Sequence, residues 1–510
     1  MEGNRGGIDL SAAWKKEDWM SVWIGFIILI VFIAGLSFKA PSWTWMSKNA
    51  FLGKTSGWEE KVDLLIQEGT GTDESFYAEA IALKSILQSG DRKAIGEVAG
   101  EFEKVSKELS DKELQKKAVK LAGEIKKNAN STIGAVLSGK NMIRALYLLI
   151  GVWIISSLGM FFMGVPVGNF IKGFPVIFIL SAISFFIAGN TAVSHYGLEV
   201  VFWALIIGLF ISNVFGVPEW LKHAVKTEFF IKIGIVMLGA EVLFRTMVSV
   251  GVYGLVQAVV VIAAVFYVCY WVSKKFGLDD EFASILGTGV SICGVSAAIA
   301  AGGAIKGDPK KVSHTISLVL LCAIPMLILE PIVAKAVRMD PNIAGAWIGG
   351  TIDTTGAVVA AGSIAGERAM AVAVVIKMTQ NVFIGVAAFL LALWFVFKKN
   401  VTDDKPGGKE IWYRFPKFVL GFIIASLVMS FLLPQSTANA VTGITKNIRV
   451  WWFTLAFLCI GLDTRFKELL SMGRGKPAGA FLIAQGFNIG WTLLIAYLLF
   501  SGVLFPAPKF

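Results

Sequence analysis

The sequence has few charged residues, histidines and cysteines, and each shortage excludes a class of protein. Only 16% of the 510 residues are charged and 55% are hydrophobic, which is far from the composition of a soluble domain. It contains no zinc-protease histidine pair, serine-hydrolase elbow or phosphate-loop lysine, so we expect neither an enzyme nor a metal or cofactor site. All four cysteines lie within apolar segments, which excludes a disulfide framework: Cys269, Cys293, Cys322 and Cys459.

Hydrophobic runs, in contrast, are long and frequent. Thirteen apolar stretches have about the length that a helix needs to cross ~30 Å of hydrocarbon. They predict an all-α polytopic membrane protein with spans near Ser21–Phe38, Ile143–Phe162, Phe170–Ile187, Leu198–Phe215, Phe229–Phe244, Tyr253–Val272, Phe282–Ile305, Val312–Val337, Ile343–Ala365, Ala369–Phe397, Phe418–Leu433, Val450–Leu462 and Ala478–Phe500.

The net charge of +11 is distributed in a way that predicts orientation. Residues 50–135 are nearly balanced in charge, so the basic excess lies in the membrane part, and a nucleic-acid partner is not expected. More Lys and Arg fall in the loops on the side of the N-terminus, which the positive-inside rule assigns to the cytoplasm. No small-residue cleavage site follows the first span, so residues 1–40 are predicted to form a cytoplasmic head and a retained anchor helix.

The polar stretch 41–140 is too charged to enter lipid, yet its apolar residues recur at helical spacing. Two such faces consist of Phe76, Ala80, Leu83 and Leu87, and of Ile95, Val98, Phe102, Val105 and Leu109. Ser110 with Glu113 predicts a capping box at the start of a third helix. We therefore expect a small extracytoplasmic helical insert, followed by a membrane domain at 141–510.

Two segments of the chain resemble each other without a gap. Phe229–Gly251 reads FFIKIGIVMLGAEVLFRTMVSVG and Trp451–Gly473 reads WWFTLAFLCIGLDTRFKELLSMG, which matches Gly239 with Gly461. Each is preceded by a related helix, ALIIGLFISNVFG or FVLGFIIASLVMS. An odd number of predicted spans separates the copies, so they are expected to enter the membrane in opposite directions. Inverted repeats are characteristic of secondary transporters, which bind substrate near the midplane between related halves.

Two other segments concentrate glycine and small polar residues within expected spans. GTGVSICGVSAAIAAGGAI begins at Gly287 and GGTIDTTGAVVAAGSIAG begins at Gly349. Close helix packing explains the run Ala297–Gly303. At Ser291–Ser296 and Asp353–Gly356 we favour interrupted helices, whose free N–H groups and dipoles would face an anion. An unwound backbone at membrane depth is tolerated only where it lines a cavity or is buried in protein, so a binding site is expected between these segments.

Three ionisable residues, Asp353, Lys377 and Glu330, lie deep in apolar sequence. A charge at the bilayer centre costs roughly 2.5–3.5 kcal/mol, so such residues are candidates for function. Gln380 and Asn381 follow Lys377 by three and four residues and share its helical face. Lys377 could pair with Asp353 until a proton or substrate breaks the pair, could balance a bound anion, or could form a purely structural pair.

At these residues the sequence resembles the sulfate exporter family, also described as the YeiH family of bacterial inner-membrane proteins. The resemblance covers about Gly197 to Phe500 and is carried by IKIGIVMLGAE, SICGVSAAIAA, VVAAGSI, VVIKMTQ, FPKFVLGF and LAFLCIGLDTRFKEL. It implies the inverted-repeat fold of the cation/proton antiporter and anion transporter superfamily, in which two discontinuous helices cross near the site. Members usually show His-Asp followed by Thr, Ala and Gln, whereas this chain reads DTTGA from Asp353, and Gln380 stands where an Arg often follows the lysine.

The predicted function is secondary transport of a small anion, sulfate or a related oxyanion or sulfonate, across the inner membrane by alternating access. Asp353 is predicted to bind a coupling proton or cation. The predicted substrate-binding residues are Ser291, Cys293, Gly294, Ser296, Thr354, Thr355, Lys377, Gln380 and Asn381. Two alternatives stay open, a sodium/proton antiporter using Asp353 and a membrane-embedded sensor whose external bundle binds a ligand. The expected partners are the anion, the coupling ion and the lipid bilayer, and a homodimer is among the oligomeric states left open.

Overall fold

The computed structural model describes residues 15–36, 38–69, 73–195, 200–399, 415–467 and 475–506. Within these residues the regular structure is helical, apart from an isolated bridge between Trp45 and Asn190. The chain divides into two compact units. One comprises residues 1–38, 151–181 and 201–510, and the other comprises residues 39–150 and 182–200 and so contains the predicted insert.

The described helices are numbered in chain order. They are α1 Glu17–Ile33, α2 Lys48–Glu68, α3 Glu74–Ser89, α4 Arg92–Ser106, α5 Lys112–Asn130, α6 Ile133–Val136, α7 Gly139–Phe162, α8 Val167–Ala188, α9 Thr191–His195, α10 Val200–Phe210, α11 Glu219–Lys222, α12 Thr227–Gly239, α13 Phe244–Lys275, α14 Asp280–Thr288, α15 Gly294–Ala304, α16 Pro309–Ala336, α17 Pro341–Thr351, α18 Thr355–Ala365, α19 Glu367–Lys399, α20 Lys417–Leu427, α21 Gln435–Asp463 and α22 Lys476–Phe500. Three π-helical turns extend α10, α14 and α20, at Ile211–Phe215, Gly289–Cys293 and Val428–Leu432.

Seven helical segments among the described residues are long and apolar enough to cross a membrane. They are α7, α8, α13, the segment Asp280–Ala304 that contains α14, a π-helical turn and α15, and also α16, α19 and α22. The predicted all-α polytopic class is therefore confirmed. The other six predicted spans correspond to helices that do not meet this description, for three reasons. Some, such as α1, are shorter. One is broken between α17 and α18, and α21 is polar over its first half. The cytoplasmic position of the N-terminus and the extracytoplasmic position of the insert stay predictions.

The insert folds around helices α2 to α5, and their apolar faces form its core. The face predicted from Phe76 to Leu87 is buried. Helix α2 was not predicted from the sequence. Only four of its 21 residues are buried, so its apolar pattern is weak: Phe51, Trp58, Val62 and Leu65. The predicted capping box was also wrong. Helix α5 begins at Lys112, one residue later than a Ser110 cap requires, because the carboxylate of Asp111 accepts hydrogen bonds from the N–H groups of Glu113 and Leu114 and so caps the helix.

The two copies of the sequence repeat make equivalent contacts. Alignment of the two leading helices matches Ser212 with Ser426, and alignment of the following segments matches Val242 with Thr464. In the structure Ser212 Oγ donates to Thr464 O at 2.7 Å, and Ser426 Oγ donates to Val242 O at 2.5 Å. The first helix of each copy therefore packs against the second helix of the other copy. The opposite membrane orientation of the copies stays a prediction, and the matched residue Gly473 lies outside the described residues.

Close backbone approach at Gly461 gives a test of this exchanged packing. A Cβ atom added to Gly461 would lie 2.5 Å from Leu205 O and 2.6 Å from Leu209 N, both in α10. We expect Gly461→Ala to lower the free energy of unfolding by about 1–3 kcal/mol, because a backbone cannot move aside as a side-chain end can.

The matched control is Gly443, which is exposed on the same helix and whose added Cβ would have no neighbour within 4 Å. Gly443→Ala is expected to leave stability unchanged or to raise it by up to about 1 kcal/mol. Thermal unfolding of the full chain in detergent compares the two variants, and equal effects at both glycines would contradict the packing.

Candidate functional site

The first glycine-rich segment is interrupted where the sequence analysis favours a break. Helix α14 passes into the π-helical turn Gly289–Cys293, and the backbone then leaves helical geometry at Cys293 (φ −150°, ψ 84°) and Gly294 (φ −7°, ψ −81°) before α15 continues. A side chain at Gly294 would collide with Val319, so the residue must be glycine for α16 to approach this closely. The break therefore depends on both a π turn and a glycine.

The second glycine-rich segment is also broken. Helix α17 ends at Thr351, and the backbone is extended at Ile352 (ψ 128°) and Thr354 (ψ 137°) before α18 begins. The hydroxyl of Thr354 accepts a hydrogen bond from the N–H of Ala357 at 3.3 Å and so caps α18. Asp353 lies in the extended segment, 1% exposed, and its Oδ2 has no hydrogen-bond partner among the described residues.

Polar side chains satisfy three consecutive carbonyl groups of the π-helical turn. The donors are Asn488 Nδ2 for Val290 (3.3 Å), Gln380 Nε2 for Ser291 (2.8 Å) and Lys377 Nζ for Ile292 (2.6 Å). A buried carbonyl without a partner costs about 1–3 kcal/mol, so these side chains stabilise the interruption itself.

Two of the same side chains also reach the second broken helix. Asn488 Nδ2 lies 3.2 Å from Thr351 O, and Gln380 Nε2 lies 3.3 Å from Gly350 O. Gln485 adds a second donor to Thr351 O at 3.2 Å. The two interruptions are therefore tied to each other through amide side chains of α19 and α22.

Lys377 is 1% exposed and its ammonium group is held by neutral partners. Besides Ile292 O, it donates to Gln380 Oε1 at 2.8 Å. No ion pair joins Lys377 to Asp353 in the part of the chain that the structure describes, so of the three roles considered for Lys377 the direct pair with Asp353 is not formed in this conformation. Its positive charge is therefore not cancelled by a bonded carboxylate.

A cavity of about 380 Å³ lies at the two breaks. The first turns of α15 and α18 both line it, together with apolar side chains of α16. Five of the predicted residues line this cavity: Cys293, Ser296, Thr354, Thr355 and Asn381. The other five predicted residues are buried next to the breaks and do not line it: Ser291, Gly294, Asp353, Lys377 and Gln380.

Polar contacts cross the cavity lining between the two broken helices. Cys293 Sγ lies 3.8 Å from Thr355 Oγ1, and Asn381 Nδ2 donates to the same hydroxyl at 3.3 Å. Asn381 Oδ1 has no partner among the described residues. Ser296 is exposed, so the first turn of α15 is open to the cavity.

The cavity lining also carries a charged cluster that was not predicted from the sequence. Lys232 Nζ lies 2.7 Å from Glu17 Oε1, 2.9 Å from Asp18 Oδ1 and 3.8 Å from Glu228 Oε2. Asp18, Glu228 and Lys232 all line the cavity. We call Glu17, Asp18, Glu228 and Lys232 the lysine cluster. A signal was present, since Lys232 lies within a predicted span, as Asp353 and Lys377 do.

The amides of α22 were also missed. Gln485, Asn488 and Thr492 recur at offsets of three and four in a predicted span, which places them on one helical face. They carry no charge, so a search for ionisable residues in spans does not find them. A polar stripe on an apolar helix is the signal that could have identified them.

The fold and the site define a multi-pass membrane protein with a cavity at two broken helices. The family described as Conserved hypothetical protein 698 has a model that matches residues 172–479, and the chain belongs to this family. The matched range includes both breaks and Lys377. It ends before Gln485 and Asn488.

Curated relatives carry the name UPF0324 membrane protein. One from Rhodopirellula baltica is 41% identical over 352 residues, which is 67% of this chain and 65% of the relative. One from Nitratidesulfovibrio vulgaris is 37% identical over 372 residues, 70% of this chain and 64% of the relative. The match thus spans slightly less than two thirds of either relative. The inner membrane protein YeiH of Escherichia coli is 25% identical over 339 residues, 64% of this chain and 95% of YeiH. No solved structure matches the chain.

The double role of Asn488 leads to a prediction about stability. Asn488→Leu removes the side-chain donor of Val290 O, whereas Gln485→Met leaves Thr351 O with Asn488 as a donor. We expect Asn488→Leu to cost about 1–3 kcal/mol of unfolding free energy and Gln485→Met to cost less. Thermal unfolding in detergent measures both, and a smaller loss for Asn488→Leu would contradict the assignment.

Proposed function

We propose that the protein is a secondary active transporter that moves a small anion by alternating access. The observation that carries this proposal is that the first turns of α15 and α18 line the same cavity. The N-terminus of a helix holds N–H groups without intrahelical acceptors and the equivalent of about +0.5 elementary charge. Two such termini at one cavity form an anion-binding arrangement of the kind that transporters build from broken helices.

The chemistry of the lining supports a small oxyanion. Sulfate accepts hydrogen bonds and donates none, so it needs donors. The hydroxyls of Ser296, Thr354 and Thr355 and the amide of Asn381 lie on the lining together with the backbone N–H groups. Lys377 acts from behind this lining, where it holds the π turn in place and adds positive charge.

A sodium/proton antiporter is the second candidate, and the lysine cluster favours it. Three carboxylates surround a single ammonium group there, and Asp353 Oδ2 has no partner among the described residues. Oxygen-rich, acidic surroundings attract cations. Under this alternative a sodium gradient changes the lumenal pH of proteoliposomes without sulfate, whereas the anion transporter requires sulfate.

Chemical modification of Cys293 tests anion binding directly. All four cysteines are buried, and Cys293 is the one that lines the cavity. We expect a small thiol reagent to modify Cys293 and sulfate to slow the reaction, because both occupy the same space. Cys293→Ser is the control, since it should abolish the protected labelling. Anion binding at this cavity would be contradicted if neither sulfate nor any of a panel of related oxyanions and sulfonates changed the rate at which Cys293 is modified.

Flux measurements test the contribution of Lys377. Lys377→Ala removes both the donor of Ile292 O and the positive charge behind the site. We expect uptake of labelled sulfate into proteoliposomes to fall at least tenfold, which corresponds to about 1.4 kcal/mol. Lys446→Ala is the control, because Lys446 forms an exposed ion pair with Glu367 and should leave flux unchanged. Equal flux for both variants would remove Lys377 from the mechanism.

A further inference from the structure

Glu330 of α16 is a buried carboxyl group that the proposed anion site does not use. It is 4% exposed, and neither of its carboxyl oxygens has a hydrogen-bond partner among the described residues. Glu241 gives a contrast, since its two oxygens accept hydrogen bonds from Arg449 at 2.7 and 2.9 Å. Burial of an ionised carboxylate without a partner is costly, so the protonated form of Glu330 is the stable one in this conformation.

The position of Glu330 connects it to the cavity. Four residues of α16 line the cavity at helical spacing: Leu320, Ala323, Ile324 and Leu327. Glu330 follows Leu327 by three residues and therefore lies on the same face, one turn further along the helix. Pro331 comes next and cannot donate the usual helical hydrogen bond to Leu327 O. The helix thus has an open acceptor position between the cavity and Glu330.

Few charges surround Glu330. Asp353 and Lys377, both 1% exposed, are titratable groups at the two breaks. Helices α14, α15, α17, α18 and α22 and the π turn pack against α16, and α15, α17 and α18 carry no titratable side chain. Helix α14, the π turn, α22 and the residues just before α17 contribute the following titratable groups: Asp280, Glu281, Cys293, Arg338, Asp340, Lys476 and Tyr497. Those of α16 itself are Lys310, Lys311, His314, Cys322 and Lys335.

The charges at the site balance a divalent anion only when the carboxyl groups are neutral. Lys377 and two helix N-termini together supply about +2 elementary charges, because each terminus is equivalent to about +0.5. A divalent oxyanion cancels this charge if Asp353 and Glu330 are protonated. If both are ionised, the occupied site carries about −2 in a medium of low dielectric constant, which is strongly unfavourable. Anion binding and protonation therefore favour each other.

We propose that Glu330 is a proton-binding site coupled to the anion site. Its carboxyl group is protonated while a divalent oxyanion is bound, and after the anion leaves it releases the proton to water in the conformation of the transport cycle that exposes Glu330 to solvent. This step rests on the proposed anion transport. It assigns the coupling ion as a proton and makes anion affinity fall as pH rises, since each binding event then needs a protonated carboxyl group.

The test uses the full chain in proteoliposomes with sulfate as the probe. Glu330→Gln keeps the shape of a protonated glutamic acid but carries no exchangeable acid proton. We expect wild type and Glu330→Gln to exchange sulfate, while the ratio of protons to sulfate moved and the pH dependence of sulfate affinity both decrease in the variant. Glu241→Gln is the control, which should be less stable but should move protons and sulfate in the wild-type ratio.

An unchanged proton-to-sulfate ratio in Glu330→Gln overturns the proposal. If the wild type exchanges no sulfate, the proposed function fails for this anion, and infrared spectroscopy then tests Glu330 alone. A carbonyl band of a protonated carboxyl group that is present in the wild type and absent from the variant supports the proton site. Absence of this band from the wild type overturns it. If the glutamine variant does not fold, Glu330→Met provides the same comparisons with an apolar side chain of similar length.

Discussion

A helix that breaks inside an apolar environment leaves carbonyl and N–H groups that no water can satisfy, and the site described here depends on how they are satisfied. The protein treats the two kinds of group differently. Carbonyls next to the breaks accept hydrogen bonds from Asn488, Gln380 and Lys377. At the start of α15 no side chain caps the N–H groups, and at α18 the hydroxyl of Thr354 caps a single one. The backbone carbonyls next to the breaks are thus bonded within the protein, whereas the N–H groups at the start of α15 have no side-chain cap. This asymmetry is the basis on which we propose an anion as the ligand.

The same constraint explains why a lysine is tolerated in the core. An ammonium group has three donors and no acceptor, and Lys377 places two of them on the carbonyl of Ile292, beside the break, and on Gln380 Oε1. The charge is therefore solvated by oriented dipoles and is not neutralised by Asp353. A positive charge held in this way acts on any ion that enters the cavity. In the proposed coupling, the same charge links the protonation of Asp353 and Glu330 to the bound anion.

The sequence was sufficient to predict the class of fold and both breaks, because glycine and small polar residues in a span have few uses other than close packing or interruption. It was not sufficient to predict the partners of Lys377. Whether an ammonium group bonds to Asp353 or to a carbonyl 85 residues away depends on tertiary packing, which no local pattern contains. The amides of α22 were missed for a different reason. Their signal in the sequence is a stripe of neutral polar residues on one helical face, which the presence of charged residues does not reveal.

The lysine cluster and the broken helices differ in sign, and this difference separates the two candidate functions. The cluster is rich in carboxylates, whereas the breaks present N–H groups and Lys377. The carboxylates of the cluster are partly exposed to water, at 39%, 29% and 56% of the side chains of Glu17, Asp18 and Glu228, whereas Lys377 is 1% exposed. Water and salt therefore screen the cluster more than they screen the charge of Lys377. On these grounds we propose an anion, not a cation, as the substrate, with the carboxylates in the roles of proton acceptors or partners of Lys232.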